Sequence, residues 1–157
     1  MYDLIQIQQV LQEKQQLLQL FEEETQEMLT CPSELLEEQV RERQKLINLI
    51  EDLDQKLDTL IRRSQDAEPI REAISGRRSC ESLPEGMESI CNAAIQIRVI
   101  LSRLRESDLQ AAMRLRLEQE HILKRIKSAN QGVGAKAARF YSVADSSQSN
   151  RSRLGNA

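Results

Sequence analysis

Aromatic side chains are almost missing from this chain: two Phe, two Tyr and no Trp among 157 residues. That scarcity argues against a surface that stacks bases, because single-stranded nucleic acid is held largely on aromatic faces. Glycine and proline are also few, at 5 and 3, so there is little material for turns. Runs of Val, Thr and aromatics that would build strands are nearly absent. No stretch approaches the ~20 consecutive apolar residues that a membrane span requires. The start, MYDLIQIQQVLQEKQQ, has neither a basic n-region nor an unbroken apolar run, so no signal peptide is expected. Cys31, Cys80 and Cys91 are odd in number and lack metal-ligand spacing, which fits free thiols in a reducing cytoplasm. Cys91 reads as a small side chain beside an apolar seam.

Catalytic groupings are equally scarce. His121 is the single histidine, so any nucleophile–His pair would have to use it, and no cysteine is near it in sequence. Glu118 and His121 stand three apart, the Glu-x-x-His unit of di-iron bundles, but that architecture needs two such units. Gly132-Val133-Gly134 lacks the strand, lysine and further glycines of a phosphate loop and reads as a helix stop and hinge. The expectation is a protein with no enzymatic activity, no metal and no cofactor.

What remains is Leu, Ile, Gln, Glu and Arg, the material of long helices packed through aliphatic seams. From Asp3 to Thr30, Leu4, Ile7, Leu11, Lys14, Leu18, Phe21, Thr25 and Met28 recur three and four apart. Lys14 and Thr25 interrupt that seam, while Ile5, Val10, Leu17, Leu20 and Leu29 widen it, so this helix should touch two neighbours. Pro32 ends it, and the connection is short enough for an antiparallel hairpin. A second helix over 33–63 should bury Leu36, Val40, Ile47, Ile50, Leu57 and Ile61. Residues 64–86 hold two prolines and two glycines and read as a connector with one short helix over Pro69–Ser75.

The period resumes at Leu83 and holds to Asn130, a helix of ~45 residues or ~68 Å. Asp108 breaks its seam, and the RESDLQAA stretch is a place where it could bend. The fold class expected is all-α: a hairpin packed with a long third helix, as a bundle or coiled-coil-like array, forming one domain over 1–142. Residues 143–157 have little apolar content and are expected to be disordered. Charge is uneven. Residues 1–60 hold 14 acids and 5 bases, whereas residues 61–157 hold 11 acids and 17 bases. The third helix should outrun what the hairpin can cover, leaving an apolar stripe around Leu109–Ile126 rimmed by bases. Phe140 and Tyr141 would serve as an anchor pair, since aromatics bury much area at low rotamer cost.

Two stretches resemble a known family. EEQVRERQKLINLIEDLDQKL (37–57) resembles the second helix of small bacterial flagellar export chaperones of the FliT and FlgN type, and LQLFEEETQEMLTCPSELLEE is similar to the turn of their N-terminal hairpin. The ending IKSANQGVGAKAARFYS looks like the C-terminus of such proteins. The resemblance implies a cytoplasmic protein that binds without chemistry. It would hold the helical ends of filament-cap or hook-junction subunits, block their premature assembly and pass them to the export machinery. By that resemblance and the helical spacing, the cargo surface falls on Ile97, Leu101, Leu104, Leu115, Ile122 and Ile126. Arg116 and Lys127 would be rim charges, and the segment from Gly132 through Phe140 and Tyr141 a movable cover. The competing expectations are a self-associating coiled-coil scaffold, a homodimer for example, and a nucleic-acid-binding adaptor using the basic half, against which the acidic first half argues. Neither nucleic acid nor a membrane is an expected partner.

Overall fold

The computed structural model describes the backbone of residues 2–154 and the side chains of residues 2–132. Among the described residues there are four α-helices: α1 (Tyr2–Thr30), α2 (Leu36–Arg63), α3 (Ala67–Ser75) and α4 (Glu88–Leu154). Short 3-10 turns at Ser33–Leu35 and Cys80–Ser82 precede α2 and α4. No strand occurs among the described residues, so the protein is all-α. The chain divides into two compact units, residues 1–114 and residues 115–157. The reason is visible in the burial pattern: Ala111 is the last buried side chain described.

Within residues 1–114, α1 lies between two neighbours. Lys14 reaches Asp54 of α2 at 2.6 Å, and Gln39 of α2 reaches Glu27 at 3.4 Å, so the numbers fall on one helix as they rise on the other. That is the antiparallel hairpin. Against α4 the pairs rise together: Arg103 meets Glu22 at 3.3 Å and Gln26 meets Ser107 at 2.9 Å, so α1 and α4 run parallel. The core between them holds Ile7, Val10, Leu11 and Leu18 of α1, Leu57 and Ile61 of α2, and Met87, Ile90, Ile97, Ile100 and Leu104. One expected core position differs: Val40 of α2 is exposed.

The residues that break the apolar seams are each satisfied. Thr25 is fully buried because its hydroxyl donates to the Phe21 carbonyl at 2.7 Å, one turn back on its own helix. Lys14 keeps its ammonium on Asp54. Asp108 pairs with Arg43 of α2, whose guanidinium also sits 4.6 Å above the Phe21 ring.

α3 closes one end of the bundle with Ile70 and Ala73 fully buried. It begins two residues earlier than expected, because a proline in the first turn gives up no intrahelical bond. It ends on Gly76, at φ 72°, where the Gly76 N–H donates to the Ala73 carbonyl and the Arg77 N–H to the Glu72 carbonyl. The Arg98 guanidinium lies where a Cβ on Gly76 would be, at 2.6 Å, and donates to the Ile74 carbonyl at 2.8 Å.

Two expectations about the second half of the chain are corrected. α4 continues as helix through Gly132 and Gly134, so neither is a helix stop. Glycine costs a helix interior only about 1 kcal/mol against alanine, and the Ala-rich sequence beside these two offsets it. The cysteine expectation also changes. Cys80 and Cys91 form a disulfide with a Cα separation of 5.8 Å, and Cys31 is the free cysteine. The 3-10 turn at Cys80–Ser82 folds back on the start of α4, a closure that spacing alone does not reveal.

α1 has no basic residue in its last turn, and a cation from elsewhere serves it. Arg114 of α4 donates Nη1 to the Met28 carbonyl at 2.7 Å and Nη2 to the Cys31 carbonyl. Hydrogen bonds from a charged group to helix-end carbonyls are stronger than neutral ones. Arg114→Ala should therefore lower the unfolding free energy by about 2–3 kcal/mol, read from denaturant midpoints. Arg114→Lys should recover less than half of that loss, because an ammonium on a different stem cannot span both carbonyls in the same fork.

Candidate partner-binding surface

The ten residues expected to bind a partner fall into four groups. Ile97 and Leu104 are core side chains, and of the two only Leu104 edges a groove. Leu101 is 43% exposed and belongs to a groove within residues 1–114. Leu115 is half-buried, Arg116 and Lys127 are exposed, and Ile122 and Ile126 are 54% and 52% exposed. Arg116 is engaged with Glu120 of its own helix at 3.7 Å. The side chains of Phe140 and Tyr141 lie outside the described residues.

The stripe expected around Leu109–Ile126 holds exposed apolar side chains beyond the ten named. Leu109 and Met113, at the end of the first unit, are 63% and 58% exposed. Leu117 and Leu123 are also more than half exposed. In the second unit every described side chain from Arg116 to Gly132, apart from half-buried Glu118, is exposed. Basic residues Lys124, Arg125 and Lys127 lie among these apolar positions. Within the second unit Ile122 and Ile126 stand four apart on one helix face, and exposed apolar side chains edged by charge are characteristic of interaction sites. The signal was present in sequence as the excess of Leu and Met between the seam positions.

The groove in the first unit has an apolar lining. Leu18 and Phe21 of α1 form its floor, Ile47 and Ile50 of α2 one wall, and Leu101 and Leu104 of α4 the other. Its volume is about 390 Å³. Glu51, Arg105 and Asp108 supply its polar rim. It explains why Ile47 and Ile50 are only half-buried although their spacing marks them as core.

Electrostatic strain is concentrated elsewhere, near the hairpin turn. Burial raises the Glu24 carboxyl above its ordinary value, and Glu27, Glu42 and Glu23 push it the same way. One oxygen of Glu24 is buried with no hydrogen-bond partner. No group of three or more His, Cys, Asp or Glu among the described residues could hold a metal ion. No described helix is long and apolar enough to cross a membrane.

No protein-family model matches the chain, and neither a curated protein nor a solved structure does. Function has to be argued from the surfaces themselves.

Glu24 supplies a pH test of the fold. The folded state holds this proton more tightly than the unfolded chain, so its favourable contribution is complete below the ordinary carboxylate range. It is lost as pH rises through the raised value. Glu24→Gln should therefore raise the melting temperature at pH 7 and leave it nearly unchanged at pH 3, measured by circular dichroism.

Proposed function

We propose that the chain is a binding protein that performs no chemistry, acting as a cytoplasmic chaperone for the helical ends of exported flagellar subunits. The observation that carries this reading is the exposed apolar set on α4 within the second unit: Leu117, Ile122, Leu123 and Ile126. Ile122 and Ile126 share one helix face, and with Lys124, Arg125 and Lys127 around them they suit the apolar face of another amphipathic helix. The subunit ends implied by the resemblance are of that kind, and covering them would keep them from assembling early. A movable cover hinged at Gly132 and Gly134 is not part of this proposal, since the backbone there is helical.

The cytoplasmic location has one observation against it, the Cys80–Cys91 disulfide. Such bridges are rare where thioredoxin and glutathione keep thiols reduced. In that compartment the pair should be reduced. Cells lysed directly into an alkylating reagent should then give protein carrying three labels by mass spectrometry, and a single label would place the chain in an oxidising compartment.

The binding proposal is tested with purified protein and helical fragments of a filament-cap and a hook-junction subunit. Calorimetry should show saturable binding to one of them. Ile122→Glu combined with Ile126→Glu should weaken it about tenfold or more with unchanged helix content, because interface energy concentrates in a few apolar anchors. Mass that rises with concentration, with no affinity for either fragment, would replace the chaperone with a self-associating scaffold.

A further inference from the structure

The trough that holds α3 does not stop where α3 stops. Beside α3 its α2 wall is formed by Asp54, Leu57, Asp58 and Ile61. Ile47, Ile50 and Glu51 continue the same face at three- and four-residue spacing and line the open groove. On α4, Arg98 holds the α3 backbone, and Leu101, Arg105 and Asp108 follow it on one face at the same spacing. α3 is nine residues long and fills the place of a fourth helix only over that length. Its own contacts, Ile70, Ala73 and Ile74, show what the trough accepts: apolar side chains at i, i+3 and i+4. The Arg43–Asp108 ion pair joins α2 to α4 at the other end. The open stretch from Leu101 to Asp108 thus accommodates about two helical turns, ~11 Å.

The rim is polarised. Glu51 stands on the α2 wall and Arg105 on the α4 wall, both exposed, and among the described residues neither is held in an ion pair. A helix lying apolar face down turns one flank to each wall, and reversing it end for end exchanges the flanks. Opposite charges on the two walls therefore distinguish its two directions.

The geometry points to a second docking site, separate from the exposed α4 surface: the Leu18–Phe21–Ile47–Ile50–Leu101 groove takes about two turns of a partner's amphipathic helix, in one direction, with a basic flank on Glu51 and an acidic flank on Arg105. The inference does not depend on a flagellar cargo. A small apolar molecule would fill the groove without using the rim, whereas α3 shows that the trough is shaped for a helix.

The probe is a synthetic peptide of about 14 residues, stapled into a helix. It carries leucines at i, i+3, i+4 and i+7, lysines along one flank and glutamates along the other, with a photo-crosslinker at its N-terminus. With the full-length protein, crosslinks should map to one end of the groove, either the α3 end or the Arg43–Asp108 end. In the Glu51→Arg, Arg105→Glu double variant they should move to the opposite end. Leu101→Asp, at an exposed position whose loss should not unfold the bundle, should lower affinity about tenfold or more. Crosslinks at the same end in both proteins, or equally at both ends, would overturn the inference. So would the absence of binding. Crosslinks confined to Leu109–Ile126 would also overturn it, while leaving the chaperone proposal standing.

Discussion

The first unit depends on how the end of α1 is satisfied. A helix leaves its last carbonyls without partners, and α1 ends at a proline turn with no cation of its own. The Arg114 guanidinium takes two of those carbonyls from a residue more than eighty positions away in sequence. This joins the hairpin turn to α4 and sets how far α4 is advanced along α1. The parallel register of Glu22 with Arg103 and Gln26 with Ser107 is consistent with that setting. Apolar packing by itself is tolerant of sliding, since Leu and Ile recur along both helices. A forked donor on two fixed carbonyls is not.

The same logic runs through the other polar residues in the seams. Burying an unpartnered hydroxyl or charge costs several kcal/mol, so a polar side chain in a seam makes only a few registers tolerable. Thr25 is satisfied locally and restricts nothing. Lys14 with Asp54 fixes α1 against α2, and Arg43 with Asp108 fixes α2 against α4. Three polar links between three helices thus specify an arrangement that a uniformly aliphatic core would leave degenerate. Their contribution is to specificity more than to stability, because the exposed halves of both ion pairs are screened by water.

Much of this was legible in the sequence because helical period is a local property. The hairpin, the short helix near Pro69 and most of the α1 seam can be read from spacing and from proline. The interruptions at Lys14, Thr25 and Asp108 are also visible, although their partners are not. What spacing could not show were relations between distant residues. Arg114 reads as one more charge on a basic helix until α1 is beside it. Cys80 and Cys91 read as thiols until the connector folds back. The groove is harder still, being an absence: Ile47 and Ile50 look like core, and only the shortness of α3 leaves them half covered. Conversely, Gly132 and Gly134 were over-read, since two weak propensity penalties do not stop a helix whose neighbours favour it.

The two candidate surfaces differ in what keeps them open. The groove walls are held by the core of the first unit, so that site is formed before any partner arrives and little ordering is needed to use it. The α4 residues from Arg116 onward have no buried side chain among those described, and their helix rests on propensity and on pairs such as Arg116–Glu120. Isolated helices are marginal in water, so this segment gains most from a partner that covers Ile122, Leu123 and Ile126. A preformed slot with a polarised rim favours selectivity, whereas a long aliphatic face favours capture. The proposed chaperone, which would recognise one helical end and hold it against assembly, would have use for both.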